Sequence, residues 1–240
     1  MQALPSQHII IVAPCYNEQE TVLRFLWQLQ LVLAAQPYRF TVLIVNDGST
    51  DDTGLLLDRF AFQAGNMSLN TTALKVNAGH QQAILHGLSV ALSLNPDRLV
   101  VMDADGEDDP GVILPLLMQH EAIVHVARGR RQESLLFRTG YYSYRMAYRL
   151  VTGRHMHYGN FCSISPAVAQ HAVRYGFRHF AGFLSRLSGS RAYICADKQP
   201  RLGGSSKMST CDHLRHAISS FTEALYHKQQ QGSDHAGEVI

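Results

Sequence analysis

The chain has 240 residues, of which 46% are hydrophobic and 17% charged, as in an ordinary globular protein with a substantial core. Its formal net charge of +2 is too small to indicate nucleic-acid binding, so no nucleic-acid partner is expected. No apolar run approaches the roughly 18 residues that a membrane-spanning helix needs, and no secretory signal is visible at the N-terminus.

Cysteine and histidine usage argues against a disulfide framework and against zinc. The four cysteines are far apart, without a Cys-x-x-Cys pair, which predicts buried or half-buried free thiols in a reducing compartment. The 13 histidines are scattered, and the only close pairs lack a third ligand at the spacing of a zinc site. We therefore expect a cytoplasmic protein without structural zinc.

The first predicted unit is a strand over residues 8–13, followed by a break and a helix over residues 20–35. Ligands of open α/β sheets bind in the loops at the carboxyl ends of parallel strands. This rule places Tyr16 and Glu18 at a ligand-binding edge. In the alternative interpretation Tyr16 covers the helix, and Glu18 interacts with the positive end of the helix dipole.

The second predicted unit repeats this pattern, with a strand over residues 40–45, a turn, and a helix over residues 51–62. Asp47 lies at the end of the strand, before Ser49 and Thr50, which are candidate helix caps. The carboxylate of Asp47 is positioned to accept from a base N–H or a ribose hydroxyl. Its alternative role is a hydrogen bond within its own turn.

The third predicted unit is a strand over residues 72–76, a loop over residues 77–80, and a helix that ends near residue 94. Ala78 and Gly79 are small, so their backbone N–H groups are expected to face an anionic ligand at the helix N-terminus.

The fourth predicted strand, residues 99–102, ends in three alternate carboxylates, Asp103, Asp105 and Glu107. In an extended backbone, alternate side chains share one face at a spacing of roughly 6.5 Å. The three carboxylates are therefore candidate ligands for one Mg²⁺ or Mn²⁺ ion, because these cations prefer hard oxygen donors shared with substrate phosphates. The alternative is an acidic loop that merely caps the next helix, which Pro110 would start.

A helix over residues 111–119 and a fifth strand over residues 122–127 complete the first half. Strands that alternate with helices predict an α/β fold with a mostly parallel sheet flanked by helices. Neither a dinucleotide-binding nor a P-loop glycine motif is present.

Four motifs in the first half resemble those of family 2 glycosyltransferases of the GT-A fold, a single Rossmann-like domain. They are Pro14-x-Tyr16-Asn-Glu18, residues 45–51, Asn77-x-Gly79 with Ala83 and Gly87, and residues 102–110. The resemblance implies inverting transfer of a hexose from a nucleotide diphosphate sugar, a UDP- or GDP-hexose. It implies that the residues that hold the nucleotide sugar are Pro14, Tyr16, Glu18, Asp47, Asn77 and Gly79.

The same resemblance implies a catalytic cation held by Asp105, with Asp103 and Glu107. Such a cation acts as a Lewis acid on the leaving diphosphate. Glu107 departs from the family, whose members often carry Gln at this position.

The second half resembles the polyprenyl-phosphate hexose synthases, the group of dolichol-phosphate mannose synthase. The resemblance rests on residues 128–134, residues 158–166 and an Arg-x-x-Gly-x-Ser-Lys pattern that runs from Arg201 to Lys207. It implies a polyprenyl-phosphate acceptor, and guanidinium groups suit a phosphate because each can bind two of its oxygens. The candidate phosphate-binding residues are Arg131, Arg138, Arg201, which is also a candidate catalytic residue, and Lys207. The alternative for any one arginine is a solvated basic face.

Two further helices are predicted. The first, residues 135–152, mixes aromatic residues with arginines, which fits a helix at a membrane interface or, equally, a core helix with snorkelling arginines. The second, residues 210–228, is a C-terminal amphipathic helix, and a polar tail over residues 231–240 is expected to be disordered. The chain resembles the members of this group that lack membrane helices. This resemblance implies that the protein is attached peripherally at the inner face of the membrane, with a membrane subunit as a candidate partner.

The lack of paired acidic residues in the second half of the chain also favours a lipid-phosphate acceptor. A hydroxyl acceptor needs a general base, whereas a phosphate is already an anion and needs none. Beyond residue 121 the acidic residues are isolated: Glu133, Asp197, Asp212, Glu223, Asp234 and Glu238. The resemblance implies one catalytic domain over residues 1–230, with a nucleotide-sugar half (1–127) and an acceptor half (128–230).

Two alternatives stay open. The first is transfer to a sugar or protein hydroxyl, with Asp197 or Glu133 as the general base. The second is a non-catalytic nucleotide-sugar-binding subunit, against which the intact Asp103 and Asp105 argue.

Overall fold

The computed structural model describes residues 7–128 and 158–203, together with Met146, Leu150, Ile218, Ser219, Thr222 and Glu223. Several predicted features lie outside the described residues: Arg131, Arg138, Lys207, most of the helices predicted over residues 135–152 and 210–228, and the tail over residues 231–240. Among the described helices, none has both the length and the apolar character that crossing a bilayer requires.

One seven-stranded sheet forms the centre of the fold, in the order β3-β2-β1-β4-β6-β5-β7. Its strands are β1 His8–Cys15, β2 Arg39–Asn46, β3 Met67–Ala73, β4 Arg98–Val101, β5 Ile123–Arg128, β6 Tyr158–Ile164 and β7 Arg191–Ala196. Every pairing is parallel except those of β6, which runs antiparallel to both β4 and β5. The mostly parallel α/β architecture predicted from the sequence is confirmed.

Helices cover both faces of the sheet. They are α1 Val22–Leu33, α2 Thr53–Asp58, α3 His80–Leu92, α4 Ile113–Leu117, α5 Pro166–Tyr175 and α6 Phe180–Leu184. Alternate residues of β1 point to opposite faces, so Ile9 and Ile11 pack with α1, whereas Ile10 and Val12 pack with α3. The apolar runs of the central strands are buried because both faces carry helices.

The third predicted strand is wrong in its position, because β3 spans Met67–Ala73 and residues 74–79 form the loop that follows. As an edge strand, β3 carries exposed polar residues such as Asn70 and Thr71, which hide the strand signal in the sequence. The prediction for the cysteines is wrong at Cys195, which is exposed, whereas Cys15 and Cys162 are buried.

The predicted helix start at Pro110 is confirmed. A 3₁₀ turn, Pro110–Val112, leads into α4, and Oδ1 of Asp109 accepts from Gly111 N at 2.8 Å. Proline suits this first position because its missing N–H would have no partner in the helix. The acidic loop after β4 therefore does end in a helix cap, formed by Asp109, beyond the three predicted metal ligands.

Candidate active site

The loops after β1 and β2 hold each other in place. The backbone N–H of Asn17 donates to Ser49 Oγ at 2.9 Å, and Thr50 N donates to Asn17 Oδ1 at 2.8 Å. One step along, Glu18 N donates to Thr53 Oγ1 at 2.9 Å. These bonds fix Glu18 at the carboxyl edge of the sheet, with its side chain 11% exposed.

Asp47 joins the loop after β2 to the loop after β3. Its buried carboxylate accepts from Ala78 N at 2.8 Å and from Gly79 N at 3.0 Å. The expectation that these two N–H groups face an anionic ligand is therefore wrong. Gly48 allows the close approach, because it has a φ of +68° and a Cβ there would lie 2.5 Å from the carbonyl carbon of Val76.

The acidic loop after β4 folds back on itself. Glu107 N donates to Asp105 Oδ1 at 2.9 Å, and Asp103 N donates to Asp108 Oδ2 at 3.0 Å. Burial, reinforced by the charge of Asp103, raises the pKa of Asp105 above its ordinary value and that of Asp108 to about 7. Several carboxyl groups thus compete for the same small volume, which favours any cation that can enter it.

Each of the three predicted metal ligands has a separate basic partner. Arg201 Nη1 lies 3.0 Å from Asp105 Oδ2, and Lys198 forms an ion pair with Glu107. His80 Nε2 lies 3.2 Å from Asp103 Oδ1. Burial alone would lower the pKa of His80, but the carboxylates of Asp103, Asp105 and Asp108 together outweigh it, so this pKa is raised.

Residues 198–203, which we name the strap, lie across the acidic loop. Gln199 N donates to Glu107 O at 2.8 Å, and Leu202 N donates to Asp105 O at 3.3 Å. The side chain of Leu202 fills the space above Gly106, whose φ is +80°. Arg24 of α1 holds the strap from the other side, since its Nη1 donates to Leu202 O at 2.8 Å.

Arg201 is the central residue of this arrangement. Besides Asp105, its guanidinium contacts Glu18, and its Nε donates to Gly203 O at 3.2 Å. One cation therefore joins a carboxylate of the loop after β1 to a carboxylate of the loop after β4. The structure brings together Glu18, Asp105 and Arg201, all three of which the sequence predicts as site residues.

The donor chemistry of the acidic loop fits a hard divalent cation, because its side chains offer carboxylate oxygens. Among the described residues, however, no three His, Cys, Asp or Glu side chains are grouped so that they hold one metal ion. A cation between Asp103 and Asp105 would compete with His80 and Arg201 for their carboxylates. Glu107 would first have to leave Lys198.

A cleft opens beside Asp103, between the acidic loop, β6 and the residues that follow β7. Its polar lining consists of Asp103, Glu107, Asp108, Asp109, Asn160, Asp197 and Lys198. Asn160 and Lys198 have no role in the sequence-based interpretation, and only the neighbouring motif around residues 158–166 points to Asn160. Asp197, the candidate general base of the hydroxyl-acceptor alternative, lines the same cleft as Asp103.

The remaining predicted nucleotide-sugar residues border the same edge. Pro14 is buried near the end of β1, beside Val45 of β2, and Tyr16 is half-buried just beyond it. Asn77 is exposed, and Gly79 precedes α3 with a φ of +90°. The loops after β3, β2 and β1 thus form one continuous rim along this edge, next to the acidic loop after β4.

Sequence comparison gives an independent result. The family model described as Glycosyl transferase family 2 matches residues 10–181, more than two thirds of the chain. A curated relative from Klebsiella pneumoniae, named undecaprenyl-phosphate 4-deoxy-4-formamido-L-arabinose transferase, is 26% identical over 172 residues. The match covers 70% of this chain and 51% of that relative, so this chain spans about half of the relative's length.

Solved structures with low sequence identity share the fold. Glucosyl-3-phosphoglycerate synthase from Mycobacterium tuberculosis, in complex with phosphoglyceric acid, has a TM-score of 0.61 and 17% identity, over 91% of this chain and 80% of that one. The mannosyltransferase PcManGT from Pyrobaculum calidifontis, in complex with GDP-Man and Mn²⁺, has a TM-score of 0.58 and 16% identity, over 94% and 67% respectively. These structures place the sheet and its helices among GT-A glycosyltransferases.

Proposed function

This chain belongs to glycosyl transferase family 2, and on that premise we propose that it is an inverting, metal-dependent hexosyltransferase. It moves a hexose from a nucleotide diphosphate sugar to a polyprenyl-phosphate carrier. The observation that carries the proposal is the position of Arg201, which bridges Glu18 and Asp105 between the predicted nucleotide-sugar loops. A guanidinium at this junction is suited to an anionic acceptor that approaches a diphosphate leaving group.

The donor is proposed to be a UDP- or GDP-hexose. Pro14, Tyr16 and Glu18 border the nucleotide, together with Asn77 and Gly79 across the rim. Asp47 acts chiefly by accepting from the backbone N–H groups of Ala78 and Gly79. The remaining lone pairs of its carboxylate accept from a base N–H or a ribose hydroxyl of the nucleotide.

Asp103 and Asp105 are proposed as the residues that hold Mg²⁺ or Mn²⁺, with Glu107 as a third ligand once it leaves Lys198. When bound, the cation stabilises the negative charge that builds up on the leaving diphosphate. The related fold of PcManGT was solved with GDP-Man and Mn²⁺, which supports this choice of cofactor. The crowding that raises the pKa of Asp105 supports it as well.

In the proposed reaction, an oxygen of the acceptor phosphate attacks the anomeric carbon from the face opposite the leaving group. The bond from that carbon to the diphosphate breaks, and the nucleoside diphosphate leaves with the electron pair. No proton has to be removed from the acceptor, so no general base is needed. Arg201 holds the acceptor phosphate, and Arg131, Arg138 and Lys207 are proposed to assist it.

The polyprenyl-phosphate acceptor is supported by the name of the Klebsiella pneumoniae relative, which is an undecaprenyl-phosphate transferase. We accordingly propose one catalytic domain over residues 1–230, split at residues 127 and 128 into donor and acceptor halves. A lipid acceptor implies that the protein works from the cytoplasm at the inner face of the membrane, peripherally attached and with a possible membrane subunit.

One observation favours a second candidate, transfer to a sugar or protein hydroxyl. Asp197 lines the cleft beside Asp103, where a carboxylate would be within range of an acceptor hydroxyl. The Asp197→Asn variant separates the two candidates. It abolishes transfer if Asp197 is the general base and leaves transfer to a phosphate nearly unchanged.

The deciding experiment incubates the purified chain with UDP- and GDP-hexoses, Mn²⁺, and either undecaprenyl phosphate or undecaprenol. We expect a lipid-linked hexose, detected by mass spectrometry, with the phosphate and none with the alcohol. Loss of product in Asp105→Asn is expected as well. Transfer to undecaprenol alone would contradict the proposal, and nucleotide-sugar binding without any transfer would favour a non-catalytic subunit.

A further inference from the structure

Three separate parts of the fold meet at the imidazole of His80. His80 is the first residue of α3, and the two N–H groups just before it are held by Asp47. Its Nε2 lies 3.2 Å from Asp103 Oδ1 of the acidic loop. The side-chain amide of Asn160, on β6, lies 3.0 Å from the same nitrogen.

The hydrogen-bond chemistry at this nitrogen has one consistent solution. An Nε2 lone pair that faced the Asp103 carboxylate would be repelled, so Nε2 carries a proton and donates it to Asp103 Oδ1. A protonated Nε2 cannot accept from the amide nitrogen of Asn160 that lies 3.0 Å away, so the amide is reversed to turn its oxygen toward His80, and Asp103 and Asn160 share the one N–H. The two orientations of an Asn amide have the same shape, and only the hydrogen-bond network distinguishes them.

Asp103 needs such a partner because its surroundings are acidic. The carboxylate of Asp108 accepts from the backbone N–H of Asp103 at 3.0 Å, and Asp105 follows two residues later in the same loop. A donor on α3, next to Asn160 of β6, holds Oδ1 of Asp103 on one side. Residues that orient a ligand in this way commonly contribute as much to metal affinity as a weak ligand does.

We propose that His80, held by Asn160, is the positioning residue for Asp103, and that it sets how tightly the acidic loop binds its divalent cation with a nucleotide. The inference rests on the proposed function, because it takes Asp103 as a ligand of that cation. His80 itself contacts neither the metal nor the sugar in this arrangement. Its contribution is therefore expected to depend on where its donor nitrogen sits and not on its bulk.

Two amide substitutions test this dependence. The side-chain nitrogen of Gln reaches about as far as Nε2 of His, whereas that of Asn reaches only about as far as Nδ1. His80→Gln therefore keeps the donor to Asp103, and His80→Asn loses it. Both variants keep a polar side chain at the helix start, so both are expected to fold.

His86 supplies the matched control. It lies on the same helix, is also half-buried, and has its Nε2 2.9 Å from Thr72 Oγ1, away from the acidic loop. His86→Asn therefore removes a comparable hydrogen bond from α3 without touching Asp103.

The measurement is Mn²⁺ affinity in the presence of UDP or GDP, followed by the electron paramagnetic resonance signal of free Mn²⁺. We expect His80→Asn to weaken Mn²⁺ binding about tenfold, and His80→Gln to stay within about threefold of the wild type. His86→Asn should bind as the wild type does. The inference would be overturned if His80→Asn bound Mn²⁺ as tightly as the wild type does. It would also be overturned if His80→Gln or His86→Asn lost as much Mn²⁺ affinity as His80→Asn.

Failure of the proposed function has a different signature. If the wild-type chain binds no Mn²⁺ with either nucleotide, the metal site itself is refuted and the role of His80 falls with it. If the wild type binds and the variants do not differ from it, only the role of His80 is refuted.

Discussion

Arg201 and Asp105 are 96 positions apart in the sequence, yet Nη1 of Arg201 donates to Oδ2 of Asp105 at 3.0 Å. The same guanidinium contacts Glu18, and all three side chains are less than one fifth exposed. Removing one partner of a charge pair shielded to this degree leaves an uncompensated buried charge, which costs more than breaking a pair on the open surface. The strap is therefore fastened to the acidic loop and to the loop after β1 by one side chain.

Replacing Arg201 should damage transfer more than it damages the fold. We expect Arg201→Ala to reduce kcat for a lipid-phosphate acceptor about 100-fold, the usual cost of losing one preorganised donor to a charged group. Arg201→Lys should recover only part of this, because an ammonium lacks the planar fork of a guanidinium. The measurement is steady-state kinetics beside thermal unfolding.

Arg59→Ala is the control for the loss of one arginine, because Arg59 is exposed at the end of α2. Its kinetics should equal those of the wild type. If Arg201→Ala keeps wild-type kcat while its unfolding temperature falls, Arg201 is a structural clamp and has no part in transfer.

A substitution at Gly106 can displace the strap while every charged side chain is kept. A Cβ at this position would lie 2.3 Å from Cγ of Leu202, so Gly106→Ala has to push the strap away. Because the clash reaches Cγ and Cβ of Leu202, close to its backbone, a rotation of the side chain does not relieve it, and we expect activity to fall through the displacement of Arg201. The positive φ adds a strain of about 1–2 kcal/mol.

The double variant Gly106→Ala with Leu202→Ala removes the clash and keeps the strain. It should recover much of the activity that Gly106→Ala loses, with Leu202→Ala alone as the reference. If activity stays equally low in the double variant, the loss comes from the strained backbone of the acidic loop and not from displacement of the strap.

Lys198 tests whether Glu107 is a metal ligand. In the structure Lys198 pairs with Glu107, so Lys198→Met frees this carboxylate at nearly constant side-chain length. If Glu107 is the third ligand, we expect Mn²⁺ to bind several times more tightly, because hard carboxylate oxygens add affinity for such a cation. Isothermal titration with Mn²⁺ and a nucleoside diphosphate measures the change.

Glu107→Gln in the Lys198→Met background supplies the control, since it should cancel the gain. Equal gains with and without Glu107 would assign the effect to the lost positive charge alone. No gain in Lys198→Met would restrict the ligands to Asp103 and Asp105.

The central strands were predictable from the sequence because burial on both faces demands continuous apolar runs, as in β1 and β2. The carboxyl ends of these strands lie at one edge, which explains why Glu18 and Asp105, each predicted separately as a site residue, lie close together. β3 was misplaced because an edge strand has little burial to mark it. β7 was not predicted at all, and its half-exposed alternation of side chains gives a similarly weak signal.

The contacts that cross the site were beyond the reach of sequence reasoning. Lys198 meets Glu107, and Asn160 meets His80, only because β6 inserts antiparallel between β4 and β5 and places β7 at the far edge. No local pattern encodes that insertion. Asp47 was predicted as a ligand from its place at a strand end, but its bonds to Ala78 and Gly79 depend on a neighbouring loop.

His125 should make the fold sensitive to acid. It is fully buried in β5, and burial, followed by the charge of Arg191, lowers its pKa from 6.5 to about 3. Because the unfolded ring protonates first, its contribution to stability is complete above pH 6.5 and is lost as the pH falls toward 3. At pH 5 the loss is about 2 kcal/mol in the free energy of unfolding.

His125→Phe keeps a ring against Tyr193 and should remove this loss, measured by urea unfolding at pH 7 and 5. His120 is exposed, so the free energy of unfolding of His120→Gln should fall between pH 7 and pH 5 as much as that of the wild type. An equal fall in His125→Phe and in the wild type would contradict the assignment.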